Sequence, residues 1–102
     1  MSSSGDSLIY SALARSDLIE IASYTLRTWG EGQADRYLNA LDDCCTLLLR
    51  RSMLGRPCDI LASGLRRIEQ GQHVIFYCLQ PSGVLIVRIL HCSMIPEGRI
   101  GL

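Results

Sequence analysis

The chain has 102 residues, 48% of them apolar, and its ten cations are balanced by ten acids to a net charge of zero. That length admits one domain with a modest core. The longest apolar run, Val74–Leu79, is far short of a membrane span, and neither a span nor a signal peptide is expected. The expectation is a soluble cytoplasmic protein.

Five cysteines are present, an odd number with one adjacent pair (Cys44, Cys45) and no C-x-x-C spacing. This argues against a disulfide framework or a zinc site and for reduced, mostly buried thiols. No metal or cofactor is expected. Every cation is arginine, the residue suited to planar, bidentate contact with carboxylate or phosphate. The charge is also segregated: residues 1–49 carry three arginines against seven acids, a net −4, and residues 50–102 carry seven against three, a net +4. A basic second half facing an acidic partner and ordinary solubilising charge are both open readings. Mean hydropathy is positive, which hints at apolar surface covered by a partner.

In chain order, residues 1–6 read as a disordered polar tail and 7–102 as one domain. Ser7–Ser11 suggests a short strand, with Ser11 as a helix N-cap. From Ala12 to about Trp29 the apolar stripe Leu18, Ile21, Ala22, Thr25 and Trp29 has helical spacing. Gly30 ends that helix. A second helix, about Gly32 to Arg50, carries Ala34, Tyr37, Leu38, Leu41, Cys45 and Leu48 on one face. The short break implies an antiparallel helical hairpin. Ser52–Gly64 reads as a connector punctuated by Gly55 and Pro57. Strands follow at Leu65–Gln70, His73–Gln80 and Val84–His91, joined by Gly-containing turns as an antiparallel meander. The tail from Cys92 is expected to be irregular or one short turn. The expected fold class is α+β, ordered β-α-α-β-β-β, with the hairpin packed on a small, mostly antiparallel sheet.

Strict alternation in the last strand puts Leu85, Val87, Ile89 and His91 against the helices, and Val84, Ile86, Arg88 and Leu90 on an open face. Arg66 and Arg67 project to opposite faces. An open face carrying Arg88 and one of Arg66 or Arg67 is the one concentrated polar constellation. Read as an RNA-cleaving site, Arg66, Arg67 and Arg88 would hold phosphate while Tyr77 or His91 moved protons. Read plainly, the face is solvated or partner-bound, His91 is structural, and Arg88 is a contact residue.

The segments DLIEIASYTLRTWGEGQADRYLNAL (Asp17–Leu41), LGRPCD (Leu54–Asp59), GLRRIEQGQHVIFY (Gly64–Tyr77) and VRILHCSM (Val87–Met94) resemble, in order, the ParE proteins of the RelE/ParE superfamily. The resemblance implies the same β-α-α-β-β-β fold. It further implies the toxin half of a type II toxin–antitoxin pair, a non-enzymatic inhibitor of DNA gyrase that blocks replication and growth. The implied partner is a ParD-like ribbon-helix-helix antitoxin, forming a hetero-oligomeric complex that meets DNA only through the antitoxin. Its tail would contact the hairpin at Leu26, Trp29, Tyr37 and Leu41. Arg66, Arg67, Arg88 and Arg99 are the implied target or antitoxin contacts. The superfamily's RelE branch cleaves mRNA with basic residues and a C-terminal Tyr or His. Here the chain after His91 offers only Arg99, so the nuclease set is incomplete and gyrase is favoured. An mRNA-cleaving toxin, and an inactive toxin kept for antitoxin binding and autoregulation, are the alternatives. The family usually has Asp after the Met of its ILH..M motif, where this chain has Ile95.

Overall fold

A computed structural model describes residues 7–95; the expectations for residues 1–6 and for Arg99 lie outside them. The elements are β1 (Ser7–Tyr10), α1 (Ala12–Trp29), α2 (Glu31–Arg50), β2 (Arg56–Pro57), β3 (Leu65–Gln70), β4 (His73–Gln80) and β5 (Gly83–His91), then a 3₁₀ turn at Cys92–Met94. The sheet order is β1-β5-β4-β3-β2. β1 runs parallel to β5, and every other pair is antiparallel. Two helices on a five-stranded, mostly antiparallel sheet give the expected α+β class.

Ser11 makes the turn from β1 into α1. Its hydroxyl accepts the Ala14 N–H at 2.9 Å and donates to the Val87 carbonyl at 2.7 Å, so one side chain caps the helix and ties it to β5. Gly30 alone separates the helices. Its N–H closes α1 onto Leu26 O and its carbonyl opens α2 by accepting the Ala34 N–H, both at 3.0 Å. This needs φ of 88°, a backbone state open to glycine at little cost. α2 therefore starts at Glu31, one residue before the expected Gly32.

Two expectations are corrected. The connector Ser52–Gly64 contains a fifth strand, because Arg56 and Pro57 pair with Arg67 and Arg66. Two residues carry no period, and Pro57 is tolerated because β2 is the sheet edge. Alternation in β5 also fails. Phe76 pairs with Arg88 while Tyr77 pairs with Ile86, so Val87 is an extra, bulged residue. Before the bulge Val84 and Ile86 face the helices; after it Ile89 does, packing with Ala14, Ile21, Leu41, Cys45, Leu48, Ile75 and Tyr77. The other face is not open. Leu65, Val74, Phe76 and Leu90 form a second small core, roofed by Cys58, Leu61, Ala62, Val87 and Ile95.

Candidate functional site

The structure sends the candidate arginines to three different places. Arg88 is not on the second face. Its Nε and Nη2 donate to Asp17 Oδ2 and Oδ1 of α1 at 2.9 and 3.0 Å, and Oδ2 also accepts the Ile89 N–H at 2.9 Å. The side chains of Arg88 and Asp17 are only 16% and 12% exposed. The Asp17 hydrogen bonds, opposed by desolvation and helped by the charges of Asp17 and Glu20, hold the guanidinium above its ordinary value. Asp17 is not among the apolar stripe residues expected for α1. Its spacing from Ala14 and Ile21 puts it on the buried side of α1, a signal present in the sequence.

Arg66 is tied to the loop before β2, donating from Nε and Nη2 to Gly55 O and from Nη2 to Met53 O. Tyr77 is fully buried beneath the same loop. Its hydroxyl donates to Ser52 O at 2.7 Å and accepts the Gly55 N–H at 2.9 Å. Gly55 is required there, since an added Cβ would lie 2.6 Å from both Tyr77 Oη and Arg67 O. Arg66 and Tyr77 thus meet at Gly55 as structural groups.

Arg67 lies with the second core, its guanidinium 5.6 Å from the Phe76 ring centroid. Its Nη2 donates to Glu69 Oε2 at 3.2 Å. Arg56, its cross-strand neighbour, donates to both Glu69 oxygens at 3.1 and 2.9 Å. Partial burial raises the Glu69 pKa, but the Arg56 hydrogen bonds and the two arginine charges outweigh it and hold the carboxyl below its usual range. Neither Arg56 nor Glu69 was singled out from sequence.

His91 stands at the far end of the sheet, paired with His73 across β4 and β5, their rings edge to face at 5.3 Å. The Ser93 N–H donates to His91 Nδ1, which leaves Nε2–H to donate to Gln72 Oε1. Tyr37 Oη accepts the Gln72 N–H at 3.0 Å and sits 2.5 Å from His73 Nδ1. Burial first, then the neighbouring His91, lowers the His73 pKa, with Asp17 opposing. Burial likewise raises that of Tyr37. The five residues considered for RNA cleavage therefore do not converge: Arg66 and Tyr77 hold a loop, Arg67 faces away from the helices, Arg88 serves Asp17, and His91 stacks on His73.

Helix α1 carries part of the exposed apolar surface. Ile19 (71% exposed), Trp29 (63%), Tyr24 and Leu26 stand out from α1. A cleft of about 400 Å³ between the helices is lined by Leu18, Ile19, Ala22, Leu38 and Asp42. A second, of about 370 Å³, runs from Asp17 and Glu20 past Tyr24 to the histidine pair. Of the hairpin contacts expected, Leu26 and Trp29 are exposed and Tyr37 is half-buried, whereas Leu41 is core and lines only the floor of the first cleft. All five cysteines are free thiols, and burial pushes Cys45 up to about 11. No described helix is long and apolar enough to cross a membrane.

The fold is that of toxins in type II toxin–antitoxin complexes. The structure is similar to a chain of the chromosomal ParDE system from P. aeruginosa (TM-score 0.73, 20% identity, covering 88% of this chain and 98% of that one). It is also similar to one from the E. coli DinJ-YafQ complex (0.63, 14%, 91% and 99%). Residues 8–96 match the family described as "ParE toxin of type II toxin-antitoxin system, parDE". The chain is 34% identical over 88 residues to Toxin ParE1 of Caulobacter vibrioides, covering 86% of this chain and 91% of the relative. It is 33% identical over 87 residues to Toxin ParE1 of Mycobacterium tuberculosis, covering 84% and 89%. The chain belongs to the ParE toxin family.

Proposed function

We propose that this protein is a growth-inhibiting toxin that binds DNA gyrase, acts in the cytoplasm without catalytic residues of its own, and is neutralised by a ParD-like antitoxin. Family membership over residues 8–96 carries this reading. The side chains that RNA cleavage would need support it, because Tyr77 and Arg88 are committed to packing and to an internal ion pair. The exposed apolar residues of α1, flanking two clefts, suit an antitoxin segment that folds against the hairpin. Leu26, Trp29 and Tyr37 remain in that proposed contact set.

The test is induced expression with plasmid supercoiling and message integrity followed together. Lost supercoiling with intact mRNA, reversed by co-expressing a cognate ParD-like antitoxin, is the expected result. Normal supercoiling with rapid mRNA cleavage would reject it in favour of a nuclease. Harmless expression without any antitoxin would indicate an inactive toxin.

A further inference from the structure

Arg88 shows what a satisfied guanidinium looks like in this chain: the Nε and Nη2 edge grips both oxygens of one carboxylate. Arg67 presents the same edge half filled. Its Nη2 holds one oxygen of Glu69, and its Nε is buried with no hydrogen-bond partner, alone in this among side-chain polar atoms of the described residues. A buried, unpaired donor on a cation costs free energy unless something completes it. Glu69 does not do so where it stands: its oxygens accept from Arg56 and from Arg67 Nη2, and neither bonds Arg67 Nε. Its side chain is 45% exposed and that of Arg56 is 61% exposed, so this ion pair is open to solvent and exchangeable.

The surroundings define what would complete it. Arg56 and Arg67 line a cleft of about 500 Å³ whose other walls include Cys58, Ile60, Leu61 and Ile95. Ile60 is 94% exposed. Two arginines beside an apolar wall match a carboxylate with an aliphatic neighbour. A nucleic-acid strand would instead call for a longer basic track and aromatic platforms; here Asp59 also lines the cleft and Phe76 is fully buried beneath Arg67.

We propose that Arg67 and Arg56 form an anion clamp for an acidic, apolar segment of a partner protein, with Glu69 as a built-in placeholder that the partner's carboxylate displaces. This rests on the reading of the chain as a toxin that works by docking on proteins. It moves the contact role away from Arg66 and Arg88, which are engaged internally, to Arg67 and the previously unconsidered Arg56. The incoming carboxylate spans Nε and Nη2 of Arg67 as Asp17 spans those of Arg88. Because Arg67 Nε is buried, docking requires side chains of the cleft to move aside.

The test is an NMR titration of the full chain labelled with nitrogen-15, following the arginine Nε–H signals and assigning Arg67 through Arg67→Lys. The probe is a capped hexapeptide alternating leucine and glutamate. The controls are its glutamine counterpart and a six-nucleotide oligouridylate. The acidic peptide is expected to shift the Arg67 Nε–H saturably. Arg67→Lys should weaken binding about tenfold, the loss of one charge-assisted hydrogen bond. Arg56→Gln, at an exposed site where folding is not at stake, should weaken it too, and Glu69→Gln should tighten it several-fold by removing the competitor. An unmoved Arg67 signal at millimolar peptide would overturn the proposal. So would equal binding of the glutamine peptide, tighter binding of the oligouridylate, or a Glu69→Gln variant that binds no better. The supercoiling assay reports on gyrase inhibition alone and this titration on the clamp alone, so either can fail without the other.

Discussion

Asp17 and Arg88, 71 residues apart in the chain, are joined by two parallel hydrogen bonds, and the same carboxylate also caps the Ile89 N–H. One acid thus fixes α1 to β5 beyond the point where β1 stops pairing. Removing it takes two hydrogen bonds from a largely buried guanidinium and one from the Ile89 N–H. Asp17→Ala should lower the unfolding free energy by about 3 kcal/mol, measured by urea denaturation. Replacing both residues by apolar ones should cost less than the sum of the single changes. Additive losses would show that the pair is not coupled.

Tyr77→Phe separates structure from chemistry. Deleting the hydroxyl strands Ser52 O and the Gly55 N–H beneath a buried ring. The expected loss is about 2 kcal/mol of stability, with growth inhibition per folded molecule unchanged. A variant that folds normally yet loses all toxicity would assign the hydroxyl a chemical role.

His73 makes the fold sensitive to mild acid. Its folded-state pKa lies below its ordinary 6.5, because burial and His91 disfavour the cation. Above that value the residue is neutral in both states and costs nothing. As pH falls below it the unfolded chain takes the proton first, and native stability declines until the folded pKa is passed. His91, Tyr37 and Asp17 are the polar groups around it. Thermal unfolding should therefore shift to lower temperature as the pH is taken down through 6.5, and His73→Gln should flatten that dependence.

Ile19 tests the hairpin surface. It is exposed and borders the cleft between the helices. Ile19→Glu should change stability by no more than about 0.5 kcal/mol while abolishing growth rescue by the co-expressed antitoxin. Full rescue by the antitoxin would place its binding surface elsewhere.

The elements were legible in the sequence wherever a period ran long enough to be read. Both helices and β3, β4 and β5 fall within a residue of expectation, and Ser11 and Gly30 act where their chemistry places them. What could not be read depends on single residues added out of period. Val87 is passed over by β4 while its carbonyl accepts the Ser11 hydroxyl, and nothing in the run VLIVRILH marks it. That one insertion lets Val84 and Ile86 share the helix-facing side with Ile89. The two-residue β2 had no pattern to find, and with it went Arg56, hence the clamp. The second core was hidden too, because Cys58, Leu61 and Ala62 of its roof come from the irregular stretch after β2.

The parallel pairing of Ser7–Tyr10 with Gly83–Ile86 has a consequence for synthesis. The approach is close: a Cβ at Gly83 would lie 1.9 Å from Ser7 O, so this junction is built for one residue. A contact this distant in sequence closes late, because the loop between its ends must be ordered first. At about 5–20 residues per second, the helical hairpin leaves the ribosome seconds before β5 exists. A nascent chain thus offers its apolar hairpin while the sheet is still an open set of strands. A partner of the hairpin could therefore engage it before the sheet is complete.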